Sequence, residues 1–392
     1  MSAGGLSPYR GPMTTDARER AVDKIARLAG EPKDLASFWR ECTEVVGTVV
    51  PHYWTPCWYT LDPASLLITS HFHEGLAEFP AEWLAREYYD DDVNRIADIA
   101  VSSTGISTLH EATAGDPSSS PRWHANMTMG GDQEMIGRLR TPSGVVWGML
   151  GLYRETGRAM FDVVDKQFVQ AVAPHLAEGA RRALLVGEAT DPDGTDGPGL
   201  VILSDRWEIQ SATPGVERWL AHLPDSDSDR VGGRLPSAVL SVAGRALRAA
   251  ENPDEPSGIA VSRVLARNGV WVVLHGACLV DQGARRIAVI VEPAHPARIF
   301  PLLMSAYRLT ERERDVTRLV LQGASTAQIA QELVVSPHTV QQHLKSVFDK
   351  TGVHSRRDLV GKIFFAHYEP RFRDNERRVA DHKPMRGGPA MR

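Results

Sequence analysis

The sequence predicts a multidomain α+β chain: two antiparallel-sheet domains in series, then an all-α unit of four short helices. Three observations carry that expectation. The chain has 392 residues, room for two or three domains at roughly 150 residues each. A stretch rich in Gly, Pro and Asp, GEATDPDGTDGPG from Gly187 to Gly199, interrupts it, as a linker would. Apolar runs of period two lie on both sides of that break, whereas residues 309–366 follow a helical period. The expected segments are a disordered lead (1–15), a first domain (16–187), a linker (188–198) and a second domain (199–296). A connecting segment (297–308), the four-helix unit (309–369) and a basic disordered tail (370–392) complete the chain.

In the first domain the strand-like runs CWYTL (57–61) and LLITSHF (66–72) flank Asp62-Pro63, a hairpin signal. EMIGRLR (134–140) and VVWGMLGLYR (145–154) flank Thr141-Pro142-Ser143-Gly144, a second hairpin. A long helix closes the unit, from Asp162 or Asp165 through Phe168, Val172, Leu176 and Leu184-Leu185. Helix, antiparallel sheet and closing helix in that order resemble a GAF domain, in pattern only. After the linker, residues 199–220 read as strand, turn at Ser204-Asp205, strand, then a helix with Val216 and Trp219-Leu220. That run resembles the opening of a PAS domain. Residues 258–266, 269–280 and 285–294 add three strands whose alternation fits a half-buried antiparallel sheet. The stretch 225–234 is expected to be a solvated loop. Ile299, Leu302 and Leu303 give the connecting segment a helical pattern, that of a signalling helix.

The four final helices announce their own ends. Thr310 and Glu313 form a capping box ahead of Val316, Leu319 and Val320, and Gly323 supplies a left-handed stop. Ser325 and Gln328 open the second helix, which buries Ile329, Ala330 and Leu333. Ser336 caps the third, with Pro337 at its first position, where a missing N–H costs nothing. Val340, Leu344, Val347 and Phe348 form its inner stripe and Gly352 its stop. Ser355 and Asp358 open the fourth, which continues through Leu359, Val360, Ile363 and Phe364. Only Val334 and Val335 separate helix two from the cap of helix three, a spacing that suits a helix-turn-helix crossing.

This segment closely resembles the LuxR-type (GerE-like) DNA-binding domain. The resemblance rests on Leu309-Thr310, Arg312-Glu313, Gly323, Ser325, Ile329-Ala330, Leu333, Ser336, Thr339-Val340, His343-Leu344, Lys350, Gly352-Val353 and Ser355-Arg356. It implies double-stranded DNA, a promoter operator, as partner. Family positions that approach base edges fall on Gln341, Gln342 and Lys345. Glutamine can bond adenine in a bidentate fashion, and lysine prefers guanine or phosphate. Gln341 departs from the lysine common there in relatives. Thr339, His343, Lys350, Ser355 and Arg356 are expected to meet phosphate, which sets register. The resemblance also implies a homodimer through helix four, with Val360, Ile363 and Phe364 as contacts. The alternative is that these three belong to the helix's own core.

The charge is less one-sided than DNA binding would suggest. The chain has 44 Lys+Arg against 49 Asp+Glu, net −5. Residues 300–369 hold 9 against 7, net +2, and the tail 7 against 3, net +4. The tail is either a solvated terminus or a basic arm adding phosphate contacts.

Aromatic density in the first domain suggests an input. Trp58, Tyr59, Trp83, Tyr88 and Trp123 are the expected lining of a cavity for a small, partly apolar effector; a packed core is the alternative. His71, His73 and Glu74 evoke a two-His-one-carboxylate site without a third spaced ligand, so no metal and no cofactor are expected. Cys42, Cys57 and Cys278 are widely spaced, with no C-x-x-C. No phosphate-binding G-x-x-x-x-G-K-[ST] and no catalytic constellation appear, so an enzyme is not expected. No apolar run of 18 residues exists and the N-terminus lacks a signal core, so no membrane is expected. The expected whole is a cytoplasmic transcriptional regulator: a small-molecule effector or, alternatively, a protein partner gates DNA binding, and RNA polymerase is a further candidate partner.

Overall fold

In the computed structural model, residues 15–74, 82–186, 198–225, 235–254, 259–281, 284–294, 296–367 and 380 are described. The lead up to residue 14, the basic tail except residue 380 and almost all of the linker lie outside them.

The first unit opens with two helices, α1 (Thr15–Leu28) and α2 (Leu35–Val49), the latter capped by Asp34, whose carboxylate accepts from Ser37 N. Strands β1 (Cys57–Leu61) and β2 (Ile68–Phe72) follow, then α3 (Glu82–Tyr89), α4 (Ile96–Val101), β3 (Ile106–Thr108), α5 (Leu109–Ala112) and α6 (Pro121–Thr128). The hairpin β4 (Gln133–Arg140) and β5 (Val146–Arg154) leads into α7 (Val163–Val186). The five strands form one antiparallel sheet, ordered β2-β1-β5-β4-β3. Both faces are covered. Trp58, Met135, Leu139, Leu150 and Leu152 pack with α1, α2 and α7; Tyr59, Leu61, Ile136, Met149 and Tyr153 pack with Leu84, Ala85 and Tyr88 of α3.

The second unit comprises β6 (Gly199–Ser204), β7 (Ile209–Ala212), α8 (Val216–Ala221), α9 (Ser237–Glu251), β8 (Val261–Leu265), β9 (Trp271–Asp281) and β10 (Ala284–Pro293). Its sheet is ordered β7-β6-β10-β9-β8, so both sheets repeat the order second, first, fifth, fourth, third. The strands fall where their alternation indicated. The expected solvated loop is corrected at its first residue. Asp225 is a half-buried carboxylate that accepts from His71 N of the first unit (3.0 Å) and from Ser237 N (3.3 Å). The remainder of that loop, 226–234, lies outside the described residues.

The two units share a core. Helix α9 is buried along most of its length, between its own sheet and the α3–β2 side of the first unit. At Gly244 an added Cβ would stand 2.0 Å from the Ala85 carbonyl oxygen; only glycine permits that approach. Asp62, at the β1–β2 turn and with no exposed side-chain surface, accepts from Arg263 of β8 at Nη2 (2.8 Å), Nε (2.9 Å) and backbone N (2.9 Å). A buried pair so fully hydrogen-bonded offsets the cost of removing both charges from water.

Helix α10 (Pro296–Ala306) then leads to α11 (Glu311–Leu321), α12 (Thr326–Glu332), α13 (Pro337–Thr351) and α14 (Arg356–His367). Ile299, Leu302 and Leu303 of α10 are buried in the cluster that also contains α7 and the last four helices. No described helix is long and apolar enough to cross a membrane.

Candidate nucleic-acid interface and buried cavity

Each of the last helices starts as its residues dictate. Thr310 accepts from Glu313 N (3.3 Å) while the Glu313 carboxylate accepts from Thr310 N (2.7 Å). Ser325 and Gln328 repeat the arrangement. Ser336 accepts from Thr339 N (3.0 Å), and Ser355 from Asp358 N (3.0 Å). These bonds satisfy amides that a helix start leaves without partners.

The turn between α12 and α13 departs from expectation at one residue. Val334 sits in the left-handed region (φ 55°) with 89% of its surface exposed, and Val335 N closes the helix end on Ala330 O (2.9 Å). Glycine occupies the equivalent positions after α11 and α13, at Gly323 and Gly352. A β-branched residue is strained there.

Glu313 organises the interior of the four helices. It is 4% exposed, yet it accepts from Lys350 Nζ (2.9 and 2.6 Å) and Ser346 Oγ (2.6 Å) of α13. Burial favours its neutral form, but the bonds from Lys350, Ser346 and Thr310 N hold its pKa below the usual value.

The outward side of α13 carries Gln341, Gln342 and Lys345, all exposed. Val340, Leu344 and Val347 are buried, so the three expected base readers share the solvent side of the helix. The expected phosphate contacts are placed less uniformly. Thr339 is half-buried with its hydroxyl on Ser336 (2.9 Å), His343 is half-buried, and the Ser355 hydroxyl caps α14. Arg356 donates to the Ala324 carbonyl, and Lys350 is committed to Glu313. Both cations therefore also serve the fold. In α14, Ile363 is 1% exposed and belongs to the unit's own core, which removes it from any surface offered to a second copy. Val360 is half-buried, and the side chain of Phe364 lies outside the described residues.

The expected effector lining does not converge. Trp58 and Tyr59 are neighbours on a strand, so they point to opposite faces. Trp58 stacks on Trp39 (4.6 Å, 7°) and donates to Thr43 (2.9 Å) on the α2 side. Tyr88 is fixed by Ile68 N and Leu66 O, both at 2.9 Å, and Trp123 donates to Asp132 (2.9 Å). Tyr59 and Trp83 do meet, on a cavity of about 50 Å³ whose wall also includes Glu87, Asp92, Arg122 and Tyr153. That volume admits a few water-sized groups. Arg122 bonds Glu87 and Glu134, Ile96 N donates to Glu87 (2.5 Å), and Asn94 donates to Glu134 (2.9 Å). Burial raises the pKa of Glu87 against the pull of Arg122, and burial raises those of Tyr59 and Tyr153. Burial opposes the charge of Arg122, but Glu87 and Glu134 outweigh it.

Glu74 pairs with Arg40 (2.6 Å) and the His71 ring stacks on Tyr59 (4.5 Å). Among the described residues no three His, Cys, Asp or Glu side chains are placed to hold a metal ion.

Four short helices with a capped recognition helix across a tight turn define a helix-turn-helix DNA-binding domain. Residues 307–362 match the family described as bacterial regulatory proteins, luxR family, so the C-terminal unit is a LuxR-family helix-turn-helix domain. A protein of Mycobacterium bovis named as an HTH-type transcriptional regulator is 56% identical over 52 residues, 13% of this chain and 6% of that one. The monoamine regulon transcriptional regulator of Klebsiella aerogenes is 43% identical over 56 residues, 14% of this chain and 25% of that one. The chain thus matches only a small part of the length of these curated relatives. Among solved structures, SdiA in complex with octanoyl-rac-glycerol aligns over 91% of this chain and 98% of its own, at 12% identity and a TM-score of 0.31.

Proposed function

We propose that the protein is a sequence-specific DNA-binding transcriptional regulator, acting on promoter DNA in the cytoplasm, whose two sheet units sense a small effector. The observation that supports DNA binding is the match of residues 307–362 together with the exposure of Gln341, Gln342 and Lys345 on one helix. In this reading Gln341 and Gln342 read base edges, while Thr339, His343, Lys350, Ser355 and Arg356 position the backbone. The common strand order supports a GAF-like first unit and a PAS-like second one. The effector site is the cavity at Tyr59, Trp83, Glu87, Arg122 and Tyr153, where aromatic walls surround a few polar orienters. Its occupant shifts the population between DNA-competent and incompetent arrangements.

A second reading, gating by a protein partner or a second copy, is favoured by the partly uncovered apolar face of the second sheet, with Leu279 at 43% and Ile290 at 40% exposure. A homodimer would read two related half-sites.

The test is duplex selection from a random-sequence pool by the full chain. Gln342→Ala should lose about tenfold in preference for the selected duplex over random DNA while retaining random-duplex affinity. Equal loss on both duplexes would remove Gln342 from base reading. A ligand retained in native mass spectra, and lost on Arg122→Ala, would support the effector reading over the partner reading.

A further inference from the structure

We propose that Glu178 is the positioning residue through which the first unit holds the DNA-binding helices, its handle being Arg308. The inference rests on the regulator reading above and names the joint that would carry its regulation.

Glu178 lies in α7, which packs on the first sheet and against α1, α2 and α10. Its carboxylate, 12% exposed, accepts from Arg181 Nε (3.0 Å), Arg182 Nε (3.1 Å) and Arg308 Nη2. Two of those guanidiniums reach further. Arg182 donates to the Gly30 carbonyl (2.9 Å) after α1, and Arg181 donates to the Ala306 carbonyl at the end of α10. Burial favours the neutral acid, but the bonds from Arg181 and Arg308 bring the Glu178 pKa down to about 2. Among the described residues, Arg308–Glu178 is the ion pair that joins the first unit to residues 296–367.

The backbone at Arg308 makes the arrangement informative. Helix α10 ends in a Schellman closure, with Arg308 N on Ser305 O (3.0 Å) and Leu309 N on Met304 O (3.0 Å). Arg308 occupies its left-handed position (φ 57°), where glycine is favoured and stands in the equivalent place after α11 and α13. Arginine is the poorer backbone choice, and what it adds is a guanidinium. Without Glu178, three guanidiniums would remain side by side, so losing the carboxylate turns an attraction into repulsion. The segment Ala306–Thr310 between α10 and α11 would then be free to change angle.

The experiment uses the full chain and three variants, Glu178→Gln, Arg308→Gly and Arg308→Lys, with two readouts. One is amide exchange across residues 302–310; the other is affinity for the duplex the wild type selects. Glu178→Gln and Arg308→Gly should speed exchange by about tenfold and shift duplex affinity by about threefold or more. Arg308→Lys should stay within about twofold of wild type on both readouts. Arg308→Gly suits the backbone, so a folding failure would not mimic release. Unchanged exchange in Arg308→Gly, or an Arg308→Lys variant as fast as Arg308→Gly, would overturn the proposal. Faster exchange with unchanged duplex affinity would overturn its functional half. A wild type that selects no duplex, with the exchange pattern as expected, would instead remove the regulator reading and leave the joint standing.

Discussion

The two five-stranded sheets share one strand order but are clothed differently. The first has helices on both faces, and every residue of β5 is buried. The second buries one face under α8 and α9, whereas β7 is exposed throughout. The first encloses a Glu–Arg–Glu network around a cavity; the second contributes a helix, α9, that packs on the outer side of the cavity's own wall, α3. Strand order alone therefore does not assign a role. What covers each face does, because a charge leaves water only where packed groups and hydrogen-bond partners replace its solvation.

The sharpest way to break that contrast is at the joint where the units depend on each other. Asp62→Ala removes the carboxylate that Arg263 meets in a largely buried setting and should cost about 3–5 kcal/mol in denaturant unfolding. A loss under about 1 kcal/mol would mean that the pair behaves as a surface contact. Next in size, Gly244→Ala forces a methyl against the Ala85 carbonyl and should cost about 1–3 kcal/mol. Solvent exchange should rise in both α3 and α9 if they pack as one layer, and in α9 alone if they do not. The smallest effect belongs to the open face. Ile290→Thr should change monomer stability by no more than about 0.5 kcal/mol, and a larger loss in unfolding measurements would show the face to be covered.

Legibility followed locality. The four C-terminal helices could be read because their caps are short-range devices, and all the caps expected from Thr310, Ser325, Ser336 and Ser355 are formed. Strands were visible through alternation. Helix α9 was passed over, although SAVLSVAGRALRAAE carries Arg245 and Arg248 on one side; its near-complete burial comes from packing between the two units, which lies beyond the local sequence. The charged network beside the cavity was also hidden, since Glu87 and Arg122 of its lining meet each other, and Arg122 meets Glu134, only after folding. Trp58 and Tyr59 were a readable pair: strand alternation already forbids both from lining one cavity.

The edges of the two sheets have a consequence of their own. Strands β2 and β8 lie side by side without forming a ladder. Tyr88 serves Ile68 N, Ser241 serves Ile68 O, Asp225 serves His71 N, and Asp62 serves Arg263 N. Most of those partners come from the opposite unit. Separated at the Gly-rich linker, each half would present a strand with unanswered amides and carbonyls, the kind of edge on which chains aggregate. The obvious place to cut the sequence is thus a poor place to cut the protein, because each half answers part of the other's strand edge.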